Sequence, residues 1–188
     1  MIYSWKKIVK HGLPLLTIAV LVEIFAGQIL QNYETELIGR LLIFLISIPV
    51  VNSVAGNIGS VLGARLASGL HVGYITHSLK DKEMHQNLIV SLLIGFFTYF
   101  MLAIVIYFWA SFGNIVGNIA LIEFVSVIVI TGFLLICVVA VVSVLTAFTS
   151  FKRGLDPDDT VAPVVTTVGD VMGIVFLIVI MGIFGVGI

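Results

Sequence analysis

Ala162-Pro163-Val164-Val165-Thr166-Thr167-Val168-Gly169-Asp170-Val171-Met172-Gly173 carries an aspartate into a run that is otherwise apolar from Val161 to Val186. A run of that length reads as a membrane-spanning helix, because about 20 residues cross the hydrocarbon core. A carboxylate near the bilayer centre costs roughly 2.5–3.5 kcal/mol on insertion scales, so it is retained where it faces water, a cation or a partner chain. Pro163, Thr166 or Thr167, Asp170 and Gly173 recur at three- to four-residue spacing and share one helix face. That face is polar and small-residued and reads as the wall of a cation pathway. Val171, Val175, Phe176 and Leu177 are left for lipid or packed helices. The competing reading is a structural acid, paired with Arg65 or held protonated.

The rest of the chain supports a membrane setting. Of its 188 residues, 60% are hydrophobic and 10% charged, whereas a soluble domain carries about 25% charged residues. The expected fold is an all-α integral membrane protein, a bundle of about five transmembrane helices forming one domain over residues 1–188. The spans fall at about 13–30, 41–70, 88–108, 120–148 and 161–186. Lys6, Lys7 and Lys10 ahead of an apolar stretch resemble a signal peptide, but Glu23 interrupts the run and no clear cleavage site follows, so the segment is read as a retained first span. The lone Cys137 is a small packing residue in an apolar run. A net charge of -1 without a basic, aromatic-interleaved block excludes a nucleic-acid binder. The absence of H-E-x-x-H, G-x-S-x-G and Walker A signatures argues against an enzyme, and no cofactor is expected.

Charge placement orients the spans. Lys6, Lys7 and Lys10 precede the first, Lys80 and Lys82 follow the second, and Lys152 and Arg153 follow the fourth. Five spans put all three groups on one side, which the positive-inside rule makes cytoplasmic. The opposite connections carry Glu34, Glu36 and Arg40. A multi-pass protein of the cell membrane follows, with its N-terminus cytoplasmic and its C-terminus outside. Tyr107 and Trp109 serve as interfacial anchors at the end of span three. Gly154 suits a left-handed helix cap, and Asp156-Pro157 restarts a helix.

The second span holds Pro49, Asn52, Gly56 and Asn57. Proline removes a backbone donor and glycine weakens a helix, so a break is expected at Pro49/Gly56. Carbonyls freed inside a membrane are tolerated only when buried in protein or lining a watery cavity. Those carbonyls, with Asn52 and Asn57, would supply oxygen ligands. Gly59, Gly63 and Ala67, taken alone, form a stripe for close helix packing. Gly169 and Gly173 would let another helix approach beside Asp170, which fits a pore where two subunits meet. Glu23 lies mid-span in the first helix, either as a second cation or proton site or paired with a polar neighbour. Thr166 and Thr167 can bond back to the preceding turn. Asp156, Asp158 and Asp159 suit the start of a helix and could also collect cations at its mouth. Glu123 reaches the interface, and His71, His77 and His85 lack a zinc-type spacing and read as solvated.

Pro49-x-x-Asn52-x-x-x-Gly56-Asn57-x-Gly59-Ser60, followed by Ala64-Arg65-Leu66, resembles the second-span motif of the MgtE family of magnesium transporters. Arg65, Ser68, Leu70 and His71 look closer to the eukaryotic solute-carrier branch of that superfamily. Asp156-Pro157-Asp158-Asp159 through Pro163, Thr166, Thr167, Gly169-Asp170 and Gly173 is similar to the family's fifth-span motif. The resemblance implies a dimer of five-helix cores whose pore is lined by helices two and five. It places Asp170 at the acidic magnesium-recognising position, with Gly56 and Asn57 at the second-helix pore position. The solute-carrier branch joins two such cores in one chain, so this single core is expected to pair with itself or with a similar half. Magnesium is the expected cargo, with Asp170, Asn57, Gly56, Thr166 and Asn52 as its principal contacts and Thr167, Glu23 and Asp156 as further ones. An ion-coupled exchanger and a non-transporting assembly subunit are the alternatives.

Overall fold

A computed structural model describes residues 5–33, 35, 37–38, 41–78 and 80–186, without the side chains of 5–8 and 11. Glu34, Glu36 and Arg40 lie outside the described residues, as do the side chains of Lys6 and Lys7. Among the described residues five long helices follow one another: α1 (Trp5–Gln31), α2 (Leu42–Val72), α3 (Lys82–Phe112), α4 (Leu121–Lys152) and α5 (Pro157–Ile183). All five are long and apolar enough to cross a membrane.

Polar punctuation sets the helix ends, and it lengthens several spans beyond their apolar runs. Asp81 accepts from the Met84 N–H at 3.0 Å, so α3 starts in the charged connector rather than at Leu88. Glu83 in that first turn suits the positive end of the helix. Asp156 caps α5 by accepting from the Asp158 N–H at 3.0 Å, and Pro157 occupies its first turn. α4 runs to Lys152, and Gly154 then turns the chain at φ +69°. Gly73 ends α2 in the left-handed region at φ +86°.

The expected break in the second span does not occur: α2 is helical without interruption from Leu42 to Val72. Pro49, the eighth residue of α2, has an exposed side chain and withdraws one donor from the ladder without ending the helix. Gly56, Gly59 and Gly63 are buried where neighbouring helices hold the backbone in place. A Cβ on Gly59 would overlap Val139 and Val165, and one on Gly63 would overlap Val161. The stripe therefore brings α2 onto α4 and α5, which is how helices associate when lipid is as apolar as their side chains.

α5 is the central element, packed against α2, α4 and α1. α2 also meets α3 and α4, and α3 meets α4. Two buried groups stitch these faces. Tyr99 lies flat against Gly132 of α4, and its hydroxyl donates to the Val51 carbonyl of α2 at 2.7 Å. Ser143 donates to the Gly59 carbonyl at 2.9 Å. α1 differs from the rest. Leu13, Leu16, Ile18, Val20, Leu21, Ile24 and Phe25 are all exposed, and only Ala26 is buried among its described side chains.

Candidate functional site

Packing leaves one edge of α5 open between α1 and α2. Asp170 comes up in that seam about half-buried, and Thr166, one turn earlier, is exposed. On the α2 side, Gly56 is so close that a Cβ there would stand 3.0 Å from the Thr166 methyl. On the α1 side, the Thr167 hydroxyl reaches Glu23 Oε1 at 3.5 Å. Thr167 and Asp170 lie three residues apart on α5, so this contact brings the two intramembrane carboxylates into one neighbourhood. Glu23 thus has the polar neighbour that mid-span charge requires.

Asn52 ties the seam to α2. Its Nδ2 donates to the backbone carbonyl of Asp170 at 3.2 Å, across helices, and the side chain is only 7% exposed. Its Oδ1 is buried with no hydrogen-bond partner among the described residues and rests against Gly173. Such an acceptor is costly to leave unmatched in an apolar interior. Asn52 therefore holds the backbone beside Asp170 and keeps one oxygen uncommitted.

Arg65 offers no counter-charge. It lies thirteen residues beyond Asn52 on the same helix, about 20 Å at 1.5 Å per residue. Among the described residues no three His, Cys, Asp or Glu side chains converge into a metal-holding group. The seam therefore brings together a carboxylate, an exposed polar edge and a second acid.

The other expected site residues sort by position. Asn57 is exposed on the α2 face and donates to Ser53 Oγ at 3.4 Å. Ser53, not singled out from the sequence, is marked only by its i, i+4 spacing to Asn57. Thr166 bonds back to the Ala162 and Pro163 carbonyls at 2.9 and 3.1 Å, and its methyl is the group that faces Gly56. Gly56 has a packing duty, and in an unbroken helix its carbonyl stays in the ladder, so freed backbone oxygens are not what α2 offers. Asp156 is occupied at the start of α5. Gly169 and Gly173 are buried against Ala55, Val139, Asn52 and Leu135, so the helices they let approach beside Asp170 are α2 and α4 of the same chain. His71, His77 and His85 each bond a backbone carbonyl, of Ala67, Phe148 and Asp81 respectively.

No curated protein matches the chain. The sequence model of the MgtE family, described as a divalent cation transporter, matches residues 48–180, from Ile48 at the start of the Pro49 motif almost to the end of α5. That stretch contains Asn52, Asn57, Thr166 and Asp170, and it covers well over half of the chain: the protein belongs to the MgtE family of divalent cation transporters.

Proposed function

We propose that the chain carries magnesium across the membrane along the seam of α2 and α5, with two copies, or this core and a similar half, closing the pathway between them. The half-buried Asp170 on an open edge of a membrane-crossing helix carries this reading. Polar and small residues exposed on α2, namely Ser53, Asn57, Ala64, Arg65 and Ser68, support it, because such a face is poorly matched to lipid and well matched to a second polar face. Magnesium sheds its water reluctantly and is usually held by one or two carboxylates with several waters retained. Two symmetry-related Asp170 carboxylates would bind the hydrated ion, and Asn57, Thr166 and the edge of Asn52 would order its waters. Empty, the two charges repel; the ion reconciles them and stabilises the closed pair.

The whole of residues 1–188 acts as one membrane unit in this reading, with the end bearing Lys80, Lys82, Lys152 and Arg153 on the cytoplasmic side. Metal-resolved flux into proteoliposomes tests the proposal. Asp170→Asn should reduce magnesium flux to the background of empty vesicles, and parental flux in that variant would defeat it. The contact between Thr167 and Glu23 favours a second reading, an exchanger in which Glu23 takes the coupling sodium or proton. Flux that ignores imposed sodium and pH gradients would remove that reading and leave the first.

A further inference from the structure

The end of the bundle that bears Lys152 and Arg153 holds a second cleft, remote from Asp170. α4 finishes there, and the carbonyls of its last turn are already occupied. His77 Nε2 bonds the Phe148 carbonyl at 3.0 Å. Backbone N–H groups of Arg153, Leu155 and Gly154 serve Thr149, Ser150 and Phe151 at 3.1, 2.9 and 3.1 Å. The negative pole of the helix is thereby covered by donors, and the Lys152 and Arg153 side chains are not needed to cap it. Both are exposed, and among the described residues neither is held by a carboxylate.

Beside them opens a cleft of about 490 Å³ lined by His77, Phe148, Thr149, Lys152 and Arg153. Its floor is aromatic: the His77 ring lies over Phe148 at a centroid distance of 4.8 Å. Among the described residues no acid lines the cleft. The volume falls in the range of small-ligand sites, about 300–1,000 Å³. An arginine fork and a lysine point charge beside a hydroxyl form the donor set that takes a phosphate group. The apolar floor, at the end of a membrane-spanning helix, places that donor set where headgroups meet acyl chains.

We infer that this cleft binds a phosphate group, as carried by an anionic phospholipid headgroup or by free phosphate. The full chain, reconstituted into nanodiscs of phosphatidylglycerol and phosphatidylcholine, is extracted and its retained lipids are counted by native mass spectrometry. Lys152→Gln/Arg153→Gln should lower the preference for phosphatidylglycerol roughly 10- to 30-fold. Lys80→Gln/Lys82→Gln removes the same charge from the same end outside the cleft and should leave most of the preference intact. A second arm adds inorganic phosphate to the chain in pure phosphatidylcholine and follows its melting temperature. Stabilisation there that the Lys152/Arg153 variant loses, without a lipid preference, supports the site and assigns free phosphate as its source. Equal losses in the two double variants, or no loss with either probe, overturn the inference.

Discussion

Gly173→Ala tests the joint between α2 and α5 at the point where it positions Asp170. A Cβ at Gly173 would overlap Asn52 Oδ1 and crowd the Asn52 carboxamide carbon and Leu135. Asn52 is buried and anchored through its donor to the Asp170 carbonyl, so it has little room to retreat. Overpacking of this kind costs about 1–3 kcal/mol, while replacing a mid-helix glycine by alanine returns up to about 1 kcal/mol. The net expectation is a loss of about 1–2 kcal/mol, or about 2–8 °C in the melting temperature of a chain this size. Asn52→Ala alone sheds one hydrogen bond worth about 1 kcal/mol. It also removes an unmatched buried acceptor that costs a similar amount, so its effect should be small. In the double variant the new methyl occupies the space that the amide vacated, and the two changes should couple favourably by about 1–2 kcal/mol. Thermal melts of the four proteins in one detergent complete the cycle, with magnesium flux measured alongside. A Gly173→Ala protein as stable as its parent, or strict additivity in the double variant, would refute the argument.

Other outcomes follow from single groups. Thr131 is fully buried in α4, and its hydroxyl has no hydrogen-bond partner among the described residues; Thr131→Val should raise stability by about 1 kcal/mol in the same melts. Tyr99→Phe loses the 2.7 Å bond to the Val51 carbonyl but keeps the ring against Gly132, so a loss of about 0.5–1.5 kcal/mol is expected. Asp81 accepts from the Thr76 N–H and hydroxyl and from the Met84 N–H, which holds its carboxyl down to about 2. Its folded value lies below the unfolded value of about 3.9, so its contribution is complete above about pH 4 and is lost as pH falls towards 2. Protection against hydrogen exchange at Thr76 and Met84, taken relative to the intrinsic rate at each pH, should fall in Asp81→Ala at neutral pH, and in the parent only on acidification.

Much of the membrane architecture was legible because its signals are local. Asp156-Pro157 and Gly154 mark helix boundaries by backbone chemistry alone, and all three sit at those boundaries. Asp170 could be singled out because a carboxylate in an apolar run has few innocent explanations. What the sequence left out depended on neighbours distant in the chain. Pro49 and the glycines of α2 looked like a broken helix, but propensity yields to packing once Val139, Val161 and Val165 fill the grooves that glycine leaves. Gly169 and Gly173 are equally able to meet any helix, and nothing in their spacing says that α2 and α4 of the same chain arrive first. The grasp of Asn52 on the Asp170 backbone spans 118 residues, beyond the reach of any periodicity.

Among the described residues α1 packs mainly on α5, while four helices support one another. A bilayer that thins or thickens can therefore reorient this single rod at little cost, leaving the interlocked remainder undisturbed. Glu23 rides on that rod and Asp170 on the post, so any tilt of α1 with membrane thickness would change the gap between two acids.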